Sequence, residues 1–159
     1  MQRNRLTGMT LLEVLVTLLV LSVGLLSLAA LQTRALRLAE MAGMQDRATQ
    51  LVRDIGERMR SNPAGVARGE YSLARGQSPA GITGRAFADL RAWTGELAGL
   101  PAGSGEIIPC TRATHIRCTD MDGHLVTVYW NAMRDPAVHS YRCPPRSSAD
   151  HRCIRQLTP

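Results

Sequence analysis

Residues 14–31 form 18 consecutive positions without a charge, and from Met9 the apolar stretch is 23 residues long with Glu13 as its one charged interruption. As a helix, a run of that length rises about 35 Å, enough for a hydrocarbon core of about 30 Å. Its small polar members, Thr17, Ser22 and Ser27, can return their hydroxyls to helix carbonyls, so no polar group need face lipid unpaired. Beyond the run the pattern becomes amphipathic. Leu38, Met41, Met44, Ala48, Leu51, Ile55 and Met59 recur at spacings of three and four, while Glu40, Arg47, Asp54, Glu57 and Arg58 fall at other angles. Asp54 and Arg58 stand four apart in the favourable order for an ion pair. The spacing predicts one helix from Met9 to Ser61, ended by Pro63 and about 80 Å long, with Gly24, Gly43 and Gly56 as its weak points.

Residues 62–84 are punctuated by Pro63, Gly65, Gly69, Gly76, Pro79, Gly81 and Gly84 and read as a connecting loop, with a short strand or turn at 71–73. A second helix is predicted over 85–100, where Phe87, Leu90, Trp93, Leu97 and Leu100 share a face; Trp93 is expected to pack on the sheet or the first helix. Past Pro101 the period falls to two and predicts strands at 106–110, 115–119 and 124–130, the last introduced by a turn at Asp122-Gly123. The first two strands are expected to form a hairpin, and the segment after Asp135-Pro136 to be an irregular, basic tail. Asp120-Met121-Asp122-Gly123 lacks the later ligands of a calcium loop. The expected class is α+β: one long N-terminal helix, its lower half transmembrane, packed on a small antiparallel sheet with a short second helix and a disulfide-pinned tail. The predicted division is a leader at 1–8, a transmembrane segment at 9–31, the soluble half of the helix at 32–62 and a globular head at 63–159.

Composition alters this picture little. The chain has 159 residues, 45% of them apolar, which allows one modest soluble core beside a membrane-rooted helix. All 19 basic residues are arginine, against 13 acidic ones. They are scattered among Glu and Asp, a weak electrostatic footprint for nucleic acid; the Arg-rich stretch 134–155 is the place where DNA capture would have to occur. Cys110, Cys118, Cys143 and Cys153 all lie in the last third, an even count that suggests two disulfides in an oxidising compartment. A hairpin would set Cys110 opposite Cys118, leaving Cys143 to pair with Cys153, one of three possible connectivities. Zinc held with His115, His124, His139 or His151 is the alternative, but no cysteine pair has the short spacing of structural zinc sites, and no metal or cofactor is expected. A membrane-anchored periplasmic enzyme finds no support in a G-x-S-x-G or H-E-x-x-H motif.

Glu13 is the residue that membrane physics does not explain. An ionised carboxylate at that depth costs about 3 kcal/mol or more, so it needs a partner or must lose its charge. A secretory signal peptide, with Arg3 and Arg5 in front and Ser27-Leu28-Ala29 as cleavage site, leaves it unexplained, and a plain signal anchor would let it snorkel to the interface. The stretch Gly8-Met9-Thr10-Leu11-Leu12-Glu13 resembles the type III signal of type IV pilins and pseudopilins. That resemblance implies that a prepilin peptidase cuts after Gly8 and that Met9, where the family usually has Phe, becomes a methylated N-terminus. It implies that Glu13 sets subunit register by pairing with the freed amine of a neighbouring subunit.

Residues 14–32, and Asp89-Leu90-Arg91-Ala92-Trp93 followed by Leu97 and Leu100-Pro101-Ala102-Gly103-Ser104-Gly105, further resemble the PilV-type minor pilins, or type IV pilus modification proteins. The resemblance implies a pilin fold and a non-catalytic subunit that assembles or primes a type IV pilus. The implied partners are other pilins, bound through the N-terminal helix, and an inner-membrane assembly platform. The implied location is the inner membrane, head in the periplasm, and then the cell-surface pilus. A type II secretion pseudopilin is the nearest alternative.

Overall fold

The computed structural model describes residues 10–111, 123–146 and 150–158. Its elements run α1 (Leu11–Arg60), α2 (Pro63–Ala67), α3 (Gly84–Leu97), β1 (Ser104–Pro109), β2 (His124–Trp130) and β3 (Arg152–Thr158). The class is α+β. Two units divide the chain, residues 1–40 and residues 41–159, so residues 41–60 of α1 belong to the second unit, the head.

α1 is 50 residues long and stops at Arg60, three residues before the proline that predicted its end. In the head it buries Met44, Ala48, Leu51, Val52, Ile55, Gly56 and Met59, the stripe expected from the three-and-four spacing. Arg58, on another angle, reaches Asp54 at 2.7 Å and Glu96 of α3 at 3.2 Å.

The stripe packs on α3, which begins at Gly84 and ends at Leu97, three residues earlier than predicted. A turn over 98–103 takes its place, with Ala102 at φ +48°. Leu100 is buried there all the same. Trp93 lies fully buried between the elements: its indole N–H donates to the Leu51 carbonyl at 2.9 Å. Its ring runs so close to β1 that a Cβ added to Gly105 would stand 2.3 Å from it, so this strand position has room only for glycine.

The loop expected over 62–84 contains a helix. Asn62 caps α2, its side-chain oxygen accepting from the Gly65 N–H at 3.2 Å, and Pro63 supplies the pre-set φ of a first helical residue. The short pattern at 71–73 becomes an isolated bridge between Leu73 and Ile107 of β1. Tyr71 is buried; its hydroxyl donates to Asp89 at 2.6 Å and accepts from Asn62 at 3.1 Å, tying the cap of α2 to α3.

The sheet is three-stranded and antiparallel in the order β1-β2-β3. β1 takes β2 as its ladder partner along its whole length, from Ser104 opposite Tyr129 to Pro109 opposite His124, and the hairpin expected between β1 and 115–119 falls outside the described residues, with the turn at Asp122. Here the structure corrects one expectation. The third strand is β3, drawn from the tail expected to be irregular, and it pairs with β2 from His124 opposite Thr158 to Trp130 opposite Arg152. β2 is therefore central and buried at every position. Val126, Val128 and Trp130 join the core against α1 and α3, while Thr127 and Tyr129 are covered on the opposite face. The end of β3 sits close on α1: a Cβ on Gly56 would meet the Thr158 methyl at 3.0 Å, so this glycine serves close packing.

On the face away from α1, residues 140–146 and 150–151 lie over the sheet. Tyr141 stacks on His151 with ring centroids 4.0 Å apart and meets Tyr129 edge-on at 5.7 Å. Cys143 and Cys153 are joined by a disulfide, S–S 2.06 Å, which fastens this segment to β3. Cys110 is also disulfide-bonded, and Cys118, with which the sequence pairs it, lies outside the described residues.

Candidate assembly helix

The first part of α1 is built differently from the part that enters the head. Every residue from Thr10 to Glu40 is exposed, including Leu11, Leu12, Leu15, Leu19 and Leu26. Leucines and valines occur at all angles around the axis, so no single neighbouring element could cover them. A helix that is apolar on every side belongs in an apolar phase or between several like helices. The most apolar 18-residue window has mean hydropathy 2.7, and α1 is long and apolar enough to cross a membrane.

Its hydroxyl side chains are turned back on the backbone. Thr17 donates to the Val14 carbonyl and Ser22 to the Leu19 carbonyl, each at 2.8 Å; Ser27 donates to Val23 and Thr33 to Ala29, each at 2.9 Å. Each hydroxyl proton is thereby satisfied without water or a partner helix. The charges mark the ends: after Glu13 the next charged residue is Arg34, 21 positions further along the helix and about 31 Å away along its axis, a hydrocarbon thickness.

Glu13 lies in the first turn of α1. Its backbone N–H donates to the Thr10 hydroxyl at 3.3 Å and to the Thr10 carbonyl at 3.0 Å, so Thr10 closes the helix N-terminus. A carboxylate at this end meets the positive pole of the helix. That field does not replace a counter-ion, and among the described residues no cation lies within ion-pair distance of Glu13. Gly8 and Met9, the predicted processing pair, lie outside the described residues. Of the predicted site residues, Glu13 is therefore alone on this helix, while Cys143 and Cys153 are together in the head. Among the described residues, no group of three or more His, Cys, Asp or Glu side chains is placed to hold a metal ion.

A family model described as the prokaryotic N-terminal methylation motif matches residues 3–29. No curated protein and no solved structure matches the chain. The matched segment takes in Gly8, Met9, Glu13 and most of the apolar run. The chain thus has the N-terminal segment of type IV pilin-like proteins of pilus or pseudopilus systems. That segment implies processing by prepilin peptidase, membrane anchoring through the apolar helix and assembly with other pilins.

Proposed function

We propose that the chain is a non-catalytic minor pilin of the PilV type that enters or primes a type IV pilus. The observation that carries this reading is Glu13: one carboxylate in the first turn of a helix exposed and apolar on all sides, with no counter-ion among the described residues, inside a matched methylation motif. Cleavage after Gly8 would create an amine five residues before it, and in a bundle of such helices the amine of one subunit can meet the carboxylate of the next. Each helix then gains its apolar neighbours and its axial register from the same contact. The subunit would wait in the inner membrane with its head in the periplasm until the assembly platform draws it into the filament. The disulfide in the head suits that oxidising compartment.

The test is Glu13→Val, with the protein followed in membrane and sheared surface fractions. Membrane insertion is expected to persist while the surface fraction falls at least tenfold; undiminished recovery in filaments would remove the register role. A type II secretion pseudopilin shares the same helix and motif. Deletion that stops secretion of exported enzymes while leaving pilus-dependent motility intact would decide for that system.

A further inference from the structure

The head has a cavity of about 490 Å³ on the sheet face turned away from α1. Four arginines line it, Arg75, Arg142, Arg146 and Arg155, with Glu106 the one carboxylate among the lining residues. They arrive from separate parts of the chain: Arg75 from the loop between α2 and α3, Arg142 and Arg146 from the segment before β3, and Arg155 from β3 itself. The chain brings them together through the β2–β3 pairing and through the Cys143–Cys153 bond, whose Cys143 forms part of the wall.

The other groups in the wall are already engaged. Glu106 accepts from the Tyr129 hydroxyl at 2.8 Å and is buried. Tyr141 has one face on His151, at 4.0 Å, and the other under the Arg75 guanidinium, 3.7 Å from the ring centroid. Both faces of the Tyr141 ring are therefore covered. Arg155 spends one N–H on Thr127, at 3.2 Å, and also interacts with the Tyr129 hydroxyl. Among the described residues none of the four guanidiniums is in an ion pair. Arg75, Arg142 and Arg146 are exposed and Arg155 is half-buried, so their free donors can all be reached from solvent.

Four guanidiniums around one cavity repel each other and together attract an anion. A single carboxylate offers one charge and is satisfied by one or two arginine forks. A phosphoryl group offers up to two charges and three oxygens, which matches donors converging from several directions. We propose that this cavity binds the phosphoryl group of a phosphate ester, held by Arg75, Arg142, Arg146 and Arg155. The ester is either a soluble molecule or a phospholipid headgroup, and both present the same oxygens to the site. The disulfide keeps Arg142 and Arg146 beside β3, so the site depends on it.

The experiment is calorimetric titration of the full chain in non-ionic detergent and phosphate-free buffer. The probes are inorganic phosphate, glycerol 3-phosphate, water-soluble dihexanoyl phosphatidic acid and, for comparison, acetate. One saturable site per chain is expected for the phosphoryl probes, weakening as salt rises. The R142Q/R146Q pair is expected to lower affinity about tenfold or more, with an unchanged circular dichroism spectrum. R75Q provides a second variant on a different loop, with a loss in the same direction, and reduction of the disulfide should weaken binding further. Tighter binding of phosphatidic acid than of glycerol 3-phosphate assigns the lipid source; equal binding assigns the soluble ester. The proposal is overturned if no phosphoryl probe saturates, if acetate binds as well as phosphate, or if folded R142Q/R146Q and R75Q bind as the parent does. Retention of duplex DNA with no saturable phosphate binding would also overturn it, by identifying an open basic surface instead of a pocket.

Discussion

Residues 11–40 and 41–60 are consecutive parts of one helix, yet the first leaves every side chain exposed and the second buries a stripe from Met44 to Met59. Backbone conformation is the same in both, so the difference lies in where charge interrupts the apolar positions. In the second part Arg47, Asp54, Glu57 and Arg58 lie off the apolar stripe and confine the apolar residues to one face, which a small head can cover. Between Glu13 and Arg34 nothing interrupts them, and the apolar surface must be satisfied by lipid or by other chains. A single helix can thus hold a folded head at one end and remain available for membrane or filament contacts at the other.

The strongest way to break this contrast is to remove a buried anchor of the head. Trp93→Ala deletes the indole between α1 and β1 together with its bond to Leu51, and should cost the head about 3 to 5 kcal/mol. Leu19→Ala, an equally apolar position in the exposed part, should leave the head's stability within about 0.5 kcal/mol of the parent. Near-UV circular dichroism melts of the full chain in detergent compare the two; equal losses would mean that the helix behaves as one cooperative piece.

Replacing both Cys143 and Cys153 by serine comes next. Their bond closes a short loop, at a sequence separation of 10, and its removal should cost about 2 to 3 kcal/mol by freeing the unfolded chain. Chemical denaturation read at the head's tryptophans is expected to show this loss, while helix content from the exposed part of α1 persists.

The smallest effect concerns pH. His124 is buried at the start of β2, its Nδ1 has no hydrogen-bond partner among the described residues, and burial pushes its imidazole below the ordinary value of 6.5. The neutral form is favoured in the folded head, so this contribution is complete above pH 6.5 and is lost as pH falls through the folded value, where the unfolded chain already holds the proton. Melts of the parent and of His124→Asn between pH 8 and pH 5 should show a shallower decline in the variant. Parallel curves would contradict that assignment.

How far the sequence revealed this architecture depended on how local each signal was. α1 was legible because its stripe repeats over about four turns and Pro63 stops it, and β2 because His124–Trp130 is rich in β-formers. β3 was not, because Arg152-Cys153-Ile154-Arg155-Gln156 has no clean alternation; it is an edge strand, only partly buried, specified by its partner across the chain. α2 was hidden by Pro63 and Gly65, which mark a loop by composition although Asn62-Pro63 is a helix start. The arginine cavity had no local signal, since Arg75 and Arg155 are 80 positions apart and meet only through the folded sheet. Glu13, by contrast, was visible at once, because one charge in a long apolar run needs no tertiary information to stand out.

In the proposed function this carboxylate awaits an amine made by cleavage after Gly8. Intact mass and N-terminal sequencing of the chain recovered from membranes test that cleavage most directly. The mature protein is expected to begin at Met9 and to be one methyl group heavier than the bare sequence. A chain that begins at Ala30, or one that keeps residues 1–8, would contradict it.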